Sequence, residues 1–218
     1  HKGKVIKSDT PKNIIKEMIK LDNVSSVAIS SVVPEVTTVL NEMCLKHLNI
    51  TPLILGPRVK TGISIICDNP REVGADLICD VAAVECDEAL IIDLGTAIKY
   101  IYVKNKALRG VVISPGVGIS IKALVNNTAL LPEIEIKAPL KVLGTNTISC
   151  MQSGVTYGVA SQVDGMIERI RKEVNNPNLK VIATGGLANL IVPLTLNDIE
   201  VDNLLTLKGL LAIYRRNI

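Results

Sequence analysis

Apolar and polar positions repeat with two different periods along this chain. Short runs of apolar residues predict a buried strand at 24–33 and a strand running into glycines at 180–186. Residues 35–48 and 147–174 instead repeat apolar side chains every three to four positions, which predicts amphipathic helices. Pro11 predicts the start of one more helix. Strands that alternate with helices in this way are typical of an α/β protein.

The pattern changes in the middle of the chain. Three strand-like runs, residues 89–95, 97–103 and 108–114, follow one another with only short turns between them. Such spacing predicts a meander of hairpins. The sequence therefore predicts an N-terminal α/β half over residues 1–88 and a C-terminal α/β half over residues 89–218. In the second half, further helices are predicted at 117–130 and 203–216.

Composition excludes several classes of partner. The 218 residues are 48% hydrophobic, enough to bury a sizeable core, and the 24 basic and 21 acidic side chains are scattered. No basic tract indicates nucleic acid or a membrane surface as a partner, and no apolar run is long enough to span a bilayer. The five cysteines form no CxxC pair, which argues against zinc. Without a signal peptide ahead of them, they indicate reduced thiols in the cytoplasm.

Two glycine-containing loops follow predicted strands. In residues 91–97, IIDLGTA, a turn at Gly95 can direct backbone N–H groups towards phosphate while Asp93 projects towards a cation. In residues 180–189, KVIATGGLAN, Gly185 and Gly186 permit close approach of a backbone or a ligand. Each loop alone is also explained as a structural turn. Together they look like the paired phosphate and adenosine loops of the actin-like sugar-kinase superfamily.

The segment GPRVKTGISIICDNPREVGADLI, residues 56–78, is similar to the pattern of the type III pantothenate kinases. The matching positions are Gly56, Pro57, Lys60, Thr61, Gly62, Asp68, Asn69, Pro70, Val73, Gly74, Ala75 and Asp76. The resemblance continues in the family's order through SSVVP, DLGTA, GVVISPG, GTNTISCMQSG, ATGGLA and LTLKGLLAIYRRN. It therefore covers nearly the whole chain.

This resemblance implies a fold, a reaction and partners. The fold is α/β with two ribonuclease H-like, actin-like kinase halves, the first lacking its opening strands in this chain. The reaction is ATP-dependent phosphorylation of pantothenate to 4′-phosphopantothenate, the first step of coenzyme A biosynthesis. The implied cofactors are ATP, Mg²⁺ and K⁺ (or NH₄⁺), and the implied assembly is a homodimer.

The resemblance also implies a substrate site. Asp76 would be the catalytic base, accepting the proton of the pantothenate alcohol as the new P–O bond forms. Gly74, Ala75 and Thr147 would bind the same substrate. The alternative for Asp76 is a solvated carboxylate that caps the helix beginning near Gly74.

On the nucleotide side, the resemblance implies that Thr96 contacts ATP and that Asp93 binds the monovalent cation. Gly95, Gly185 and Gly186 would line the ATP site. The predicted helix at 147–174 would supply either a dimer interface or core through an apolar stripe. That stripe comprises Met151, Val155, Val159, Val163 and Met166.

The chain departs from the family pattern at four positions. Cys67 stands where the family has Tyr, Leu77 where it has Arg, and Ile98 and Lys99 where it has two hydroxyl residues. The family's opening DxGNT strand has no counterpart in residues 1–10. A second hypothesis is therefore a catalytically silent family member that binds nucleotide or pantothenate as a regulatory or scaffolding subunit.

Overall fold

The computed structural model describes residues 24–218, which form two compact units. The first contains residues 24–64, Asp68–Ala83 and Leu205–Ile218, and the second contains Ile65–Cys67 and Val84–Leu204. The helix start at Pro11 and the lack of opening strands concern residues outside this described part, so both stay predictions. The predicted division at residue 88 also stays a prediction, although the C-terminal helix lies in the first unit and was expected with residues 89–218.

A two-stranded parallel sheet and a helix form one part of the first unit. Strand β1 (Ala28–Ile29) pairs with β2 (Leu53–Ile54), and helix α1 (Pro34–Met43) connects them, continuing as a π-helical turn at Cys44–Leu48. The strand predicted over 24–33 is wrong in length. Its partner β2 has only two residues to pair with, and Val32 and Val33 are exposed ahead of Pro34.

Two packed helices form the other part of the first unit. Helix α2 (Ala75–Ala83) follows a 3₁₀ turn at Pro70–Glu72 and packs against α6 (Leu205–Arg215). Gly209 of α6 lies directly on the Cys79 carbonyl group, and the Thr206 hydroxyl donates a hydrogen bond of 2.6 Å to the buried Asp80 carboxylate. Burial raises the pKa of the Cys79 thiol to about 11, so this thiol stays protonated at neutral pH.

A six-stranded mixed sheet organises the second unit. Its order is β3-β6-β5-β4-β7-β8, formed by β3 (Ser64–Ile65), β4 (Glu88–Leu94), β5 (Ala97–Lys104), β6 (Ala107–Pro115), β7 (Lys180–Thr184) and β8 (Glu200–Val201). The predicted meander is confirmed, because β4, β5 and β6 pair antiparallel. Strands β7 and β8 join β4 in parallel. Three antiparallel strands followed by two parallel ones are the ribonuclease H-like arrangement, so the predicted α/β class is confirmed.

The helices of the second unit are α3 (Val117–Asn126), α4 (Thr147–Glu173) and the short α5 (Ala188–Ile191), which a 3₁₀ turn at Val192–Leu194 follows. Helix α3 ends four residues before its predicted end at residue 130. There Asn127 and Thr128 turn their side chains back to the carbonyl groups of Ala123 and Leu124, both at 2.8 Å. Helix α4 agrees with its prediction to within one residue.

The apolar stripe of α4 packs on the sheet. Val155, Val159 and Val163 are buried in one cluster with β4 residues such as Leu90 and Ile92. Of the two alternatives for this stripe, the structure therefore supports core. Within residues 24–218, no helix combines the length and the apolar character needed to cross a membrane.

The packing of α2 on α6 predicts an unequal response to two glycine substitutions. A Cβ at position 209 would overlap the Cys79 carbonyl group, so Gly209→Ala should lower the free energy of unfolding by about 2–3 kcal/mol. The matched control is Gly158→Ala on the exposed face of α4, which should raise it by up to about 1 kcal/mol. Urea unfolding followed by circular dichroism measures both, and equal effects would contradict this packing.

Candidate active site

The hairpin between β4 and β5 carries the first predicted loop. Asp93 is the penultimate residue of β4 and lies directly opposite Lys99 of β5. The Gly95 N–H donates to the Ala97 carbonyl oxygen at 3.2 Å, and the Gly116 N–H donates to the Thr96 carbonyl oxygen at 3.2 Å. The turn at Gly95 and Thr96 is therefore held by backbone hydrogen bonds. One of these already uses the Gly95 amide.

The second predicted loop lies beside the first, because β7 pairs in parallel with β4 and places Thr184 opposite Asp93. Gly185 has a φ of +94°, which L side chains rarely adopt. A Cβ added to Gly185 would lie 2.6 Å from Asp93 Oδ1 and 2.7 Å from the Leu94 carbonyl oxygen. The structure thus brings Asp93, Gly95 and Gly185 together, whereas a Cβ on Gly186 would meet no described atom within 4 Å.

An ion pair neutralises Asp93 within its own hairpin. Lys99 Nζ lies 2.7 Å from Asp93 Oδ2, and the two side chains are only 14% and 15% exposed. The sequence showed Lys99 as a departure from the family pattern, but it was not predicted to form an ion pair with Asp93. The signal was present in the spacing, since residues placed symmetrically about a hairpin turn face each other across the two strands.

The predicted potassium site at Asp93 already holds a positive charge of the chain itself. The Lys99 ammonium group contacts Oδ2 of Asp93, and Gly185 lies beside Oδ1. Binding of K⁺ at Oδ2 would require displacement of the Lys99 side chain. The potassium site therefore stays a prediction.

In the first unit, the predicted base lies at the start of α2. Asp76 is half-buried in the first helical turn, where the helix dipole favours a negative charge. Its carboxylate folds back towards Gly74, because a Cβ added to Gly74 would lie 2.5 Å from Asp76 Oδ1. A side chain at position 74 would therefore displace the carboxylate. Ala75, between them, packs against the core cluster of Leu55, Cys79 and Ile213.

Thr147, the other predicted substrate residue, is exposed at the first position of α4 in the second unit. The turn before it is tightly built. Asn146 Oδ1 accepts from the Ser149 N–H at 3.0 Å, while Ser149 Oγ accepts from the Asn146 N–H at 3.3 Å. Gly144 packs on the backbone of the same turn. This capping box fixes where the Thr147 side chain leaves the helix.

The other departures lie in different environments. Ile98 is fully buried in the core cluster of the second unit, so an apolar contact takes the place of a hydroxyl group. Leu77 is half-buried on α2, and its Cδ1 would lie 3.4 Å from a Cβ on Gly74. Cys67 is half-buried and forms no disulfide.

Alanine substitutions at the two adjacent glycines should differ in their effect on stability. Gly185→Ala combines a positive φ with a collision against Asp93 and Leu94, so it should lower the free energy of unfolding by about 2–4 kcal/mol. Gly186→Ala meets open space and should change it by less than about 0.5 kcal/mol. Thermal unfolding measures the difference. Similar losses in both variants would show that Gly185 does not hold the loop against Asp93.

Comparison with known proteins places these features in a family. Residues 3–169 match the family model described as type III pantothenate kinase. The type III pantothenate kinase of Acholeplasma laidlawii is 51% identical over 205 residues, spanning 94% of this chain and 83% of that protein. That of Halalkalibacterium halodurans is 46% identical over 204 residues, spanning 92% and 80%. A crystal structure from Campylobacter jejuni, described as a Baf family transcriptional activator, shares the fold with a TM-score of 0.60 at 19% identity, covering 93% of this chain and 88% of that one. This chain belongs to the type III pantothenate kinase family.

Proposed function

We propose that this chain catalyses the ATP-dependent phosphorylation of pantothenate to 4′-phosphopantothenate, the first step of coenzyme A biosynthesis. The observation that carries the proposal is family membership, with 46–51% identity to relatives named as this kinase over more than nine tenths of the chain. No described feature favours the silent alternative. The five cysteines are all free thiols, which supports a reducing compartment such as the cytoplasm.

Asp76 is the proposed catalytic base. An alcohol is a poor nucleophile at neutral pH, so a carboxylate that accepts its proton late in phosphoryl transfer assists the reaction. The position of Asp76 at a helix N-terminus favours its negative charge. Gly74 supports the assignment, because a residue without a side chain leaves room for the carboxylate. Gly74, Ala75 and Thr147 are proposed to bind pantothenate.

The nucleotide is proposed to bind at Gly95, Thr96, Gly185 and Gly186. Support comes from the adjacent ends of β4 and β7, which place these backbones side by side. Glycine backbones allow phosphate oxygens to approach closely. Mg²⁺ is the proposed companion of the triphosphate. It takes most of its ligands from phosphate and water, so it needs few protein carboxylates.

A homodimer is the proposed assembly. Because the stripe of α4 packs in the core of its own unit, we place the proposed interface elsewhere. Support comes from the segment before α4, where Leu140 and Leu143 are 103% and 85% exposed. A contiguous exposed apolar patch marks a contact surface, and these two leucines are the side chains that this segment would contribute to such a patch.

Substitution of the proposed base tests the reaction. Asp76→Asn should lower turnover about 100-fold or more, because the amide cannot accept the proton. Its unfolding temperature should stay within about 3 °C of that of the wild type. ADP release in the presence of pantothenate, Mg²⁺ and K⁺ gives the rate.

The matched control is Glu72→Gln, an exposed carboxylate in the preceding 3₁₀ turn, which should keep the wild-type rate. Equal rates for the wild type and Asp76→Asn would remove Asp76 from the mechanism. A wild-type protein that releases ADP equally with and without pantothenate would contradict the proposed substrate.

The dimer proposal predicts a change in mass. The double substitution Leu140→Ser and Leu143→Ser should shift the protein from dimer to monomer, because it removes two exposed apolar contacts. Leu196→Ser is the control, since Leu196 is 93% exposed but far along the sequence from this segment. Light scattering coupled to size exclusion measures the mass. A wild-type monomer would refute the assembly directly.

A further inference from the structure

The pairing of two strands and the packing of a neighbouring residue both hold Lys99 beside Asp93, unlike the partners of an ordinary surface ion pair. Asp93 and Lys99 lie directly opposite each other in an antiparallel hairpin. The neighbouring Ile98 is fully buried in the core, and side chains alternate between the two faces of a strand. Core packing of Ile98 therefore directs Lys99 to the opposite face, beside Asp93.

A second pair on the same two strands provides a comparison. Lys104 and Glu88 are also directly opposite in β5 and β4, at the far end of the hairpin. Their charged atoms lie 3.4 Å apart, and the Lys104 side chain is 45% exposed. Lys99 is three times less exposed and lies 2.7 Å from its partner, within the range of a charge-assisted hydrogen bond.

Lys99 already places a positive charge against Asp93. Its ammonium group contacts one carboxylate oxygen, and Gly185 lies beside the other, where an added Cβ would stand 2.6 Å from that oxygen. An ammonium group carries the same single positive charge as a potassium ion and has three donors for oxygen ligands. Because it is covalently tethered, its concentration at Asp93 does not depend on the salt in solution.

We propose that Lys99 is a built-in substitute for a monovalent cation at Asp93, so that nucleotide binding by this chain does not depend on potassium. Lys99 acts as a positioning residue: it neutralises Asp93 at the end of β4 and keeps the Gly95–Thr96 turn in shape for phosphate. The inference rests on the proposed nucleotide site. It goes beyond that site by assigning the charge-compensating role to a residue of the chain itself.

The experiment compares wild type, Lys99→Thr and Lys104→Thr in potassium chloride and in tetramethylammonium chloride of equal ionic strength. The dissociation constant of a fluorescent ATP analogue with Mg²⁺ should change less than about twofold between the two salts for wild type and Lys104→Thr. For Lys99→Thr it should rise about tenfold in tetramethylammonium and recover in potassium, because the vacated carboxylate then takes up the ion.

A second measurement does not need the nucleotide. Potassium should raise the unfolding temperature of Lys99→Thr by about 3 °C relative to tetramethylammonium, because an ion that binds only the folded state stabilises it. Wild type and Lys104→Thr should respond by less than about 1 °C. If no variant binds nucleotide in either salt, the proposed nucleotide site fails, while this thermal comparison still decides the role of Lys99.

A wild-type protein whose nucleotide affinity falls tenfold without potassium would overturn the proposal, and that result needs no variant. A Lys99→Thr protein that potassium rescues in neither measurement would also overturn it. Should Lys99→Thr fail to fold, Lys99→Arg retains the positive charge and is expected to remain indifferent to potassium; a potassium requirement in that variant counts against the substitution role.

Discussion

Strand β4 is the element on which the second unit depends, because it pairs on both sides and is buried on both faces. It forms an antiparallel ladder with β5 and a parallel ladder with β7, and Ala89 to Ile92 have no exposed surface. A shift of this strand by one residue would place the Asp93 carboxylate in the fully buried position of Ile92 or Leu94, and it would exchange the side chains that pack on the two faces. The position of Asp93 at its end is therefore determined by the packing of the residues before it.

The charge of Asp93 follows from the same constraint. A carboxylate at the end of a buried strand is costly unless it is paired, since burial removes most of its contact with water. The hairpin supplies Lys99 directly opposite, and the parallel neighbour β7 supplies a glycine that approaches closely. Each neighbour of β4 thus places one residue beside the same side chain.

In the first unit, packing between two helices positions Asp76, and no sheet strand carries it. Helix α2 is held against α6 by the close approach of Gly209 to Cys79 and by the hydrogen bond between Thr206 and Asp80. Asp76 lies one turn before Cys79 on the same helix. A carboxylate on a well-packed helix is held more precisely than one on a loop, which suits its proposed role of accepting a proton over hydrogen-bond distance.

Local patterns in the sequence determined the element types of the second unit, including the β4–β6 meander and the long helix α4, because period and turn residues act over a few positions. The residues of segment 56–78, with the later motifs in the family's order, were sufficient to identify the family. Tertiary structure alone decided the rest. The strand over 24–33 shortened to two residues because its partner is short, and the stripe of α4 became core because the sheet covers it. The close pairing of Lys99 with Asp93 emerged only when the hairpin register and the buried Ile98 were fixed together, since the distance between two charges depends on packing that no single segment contains.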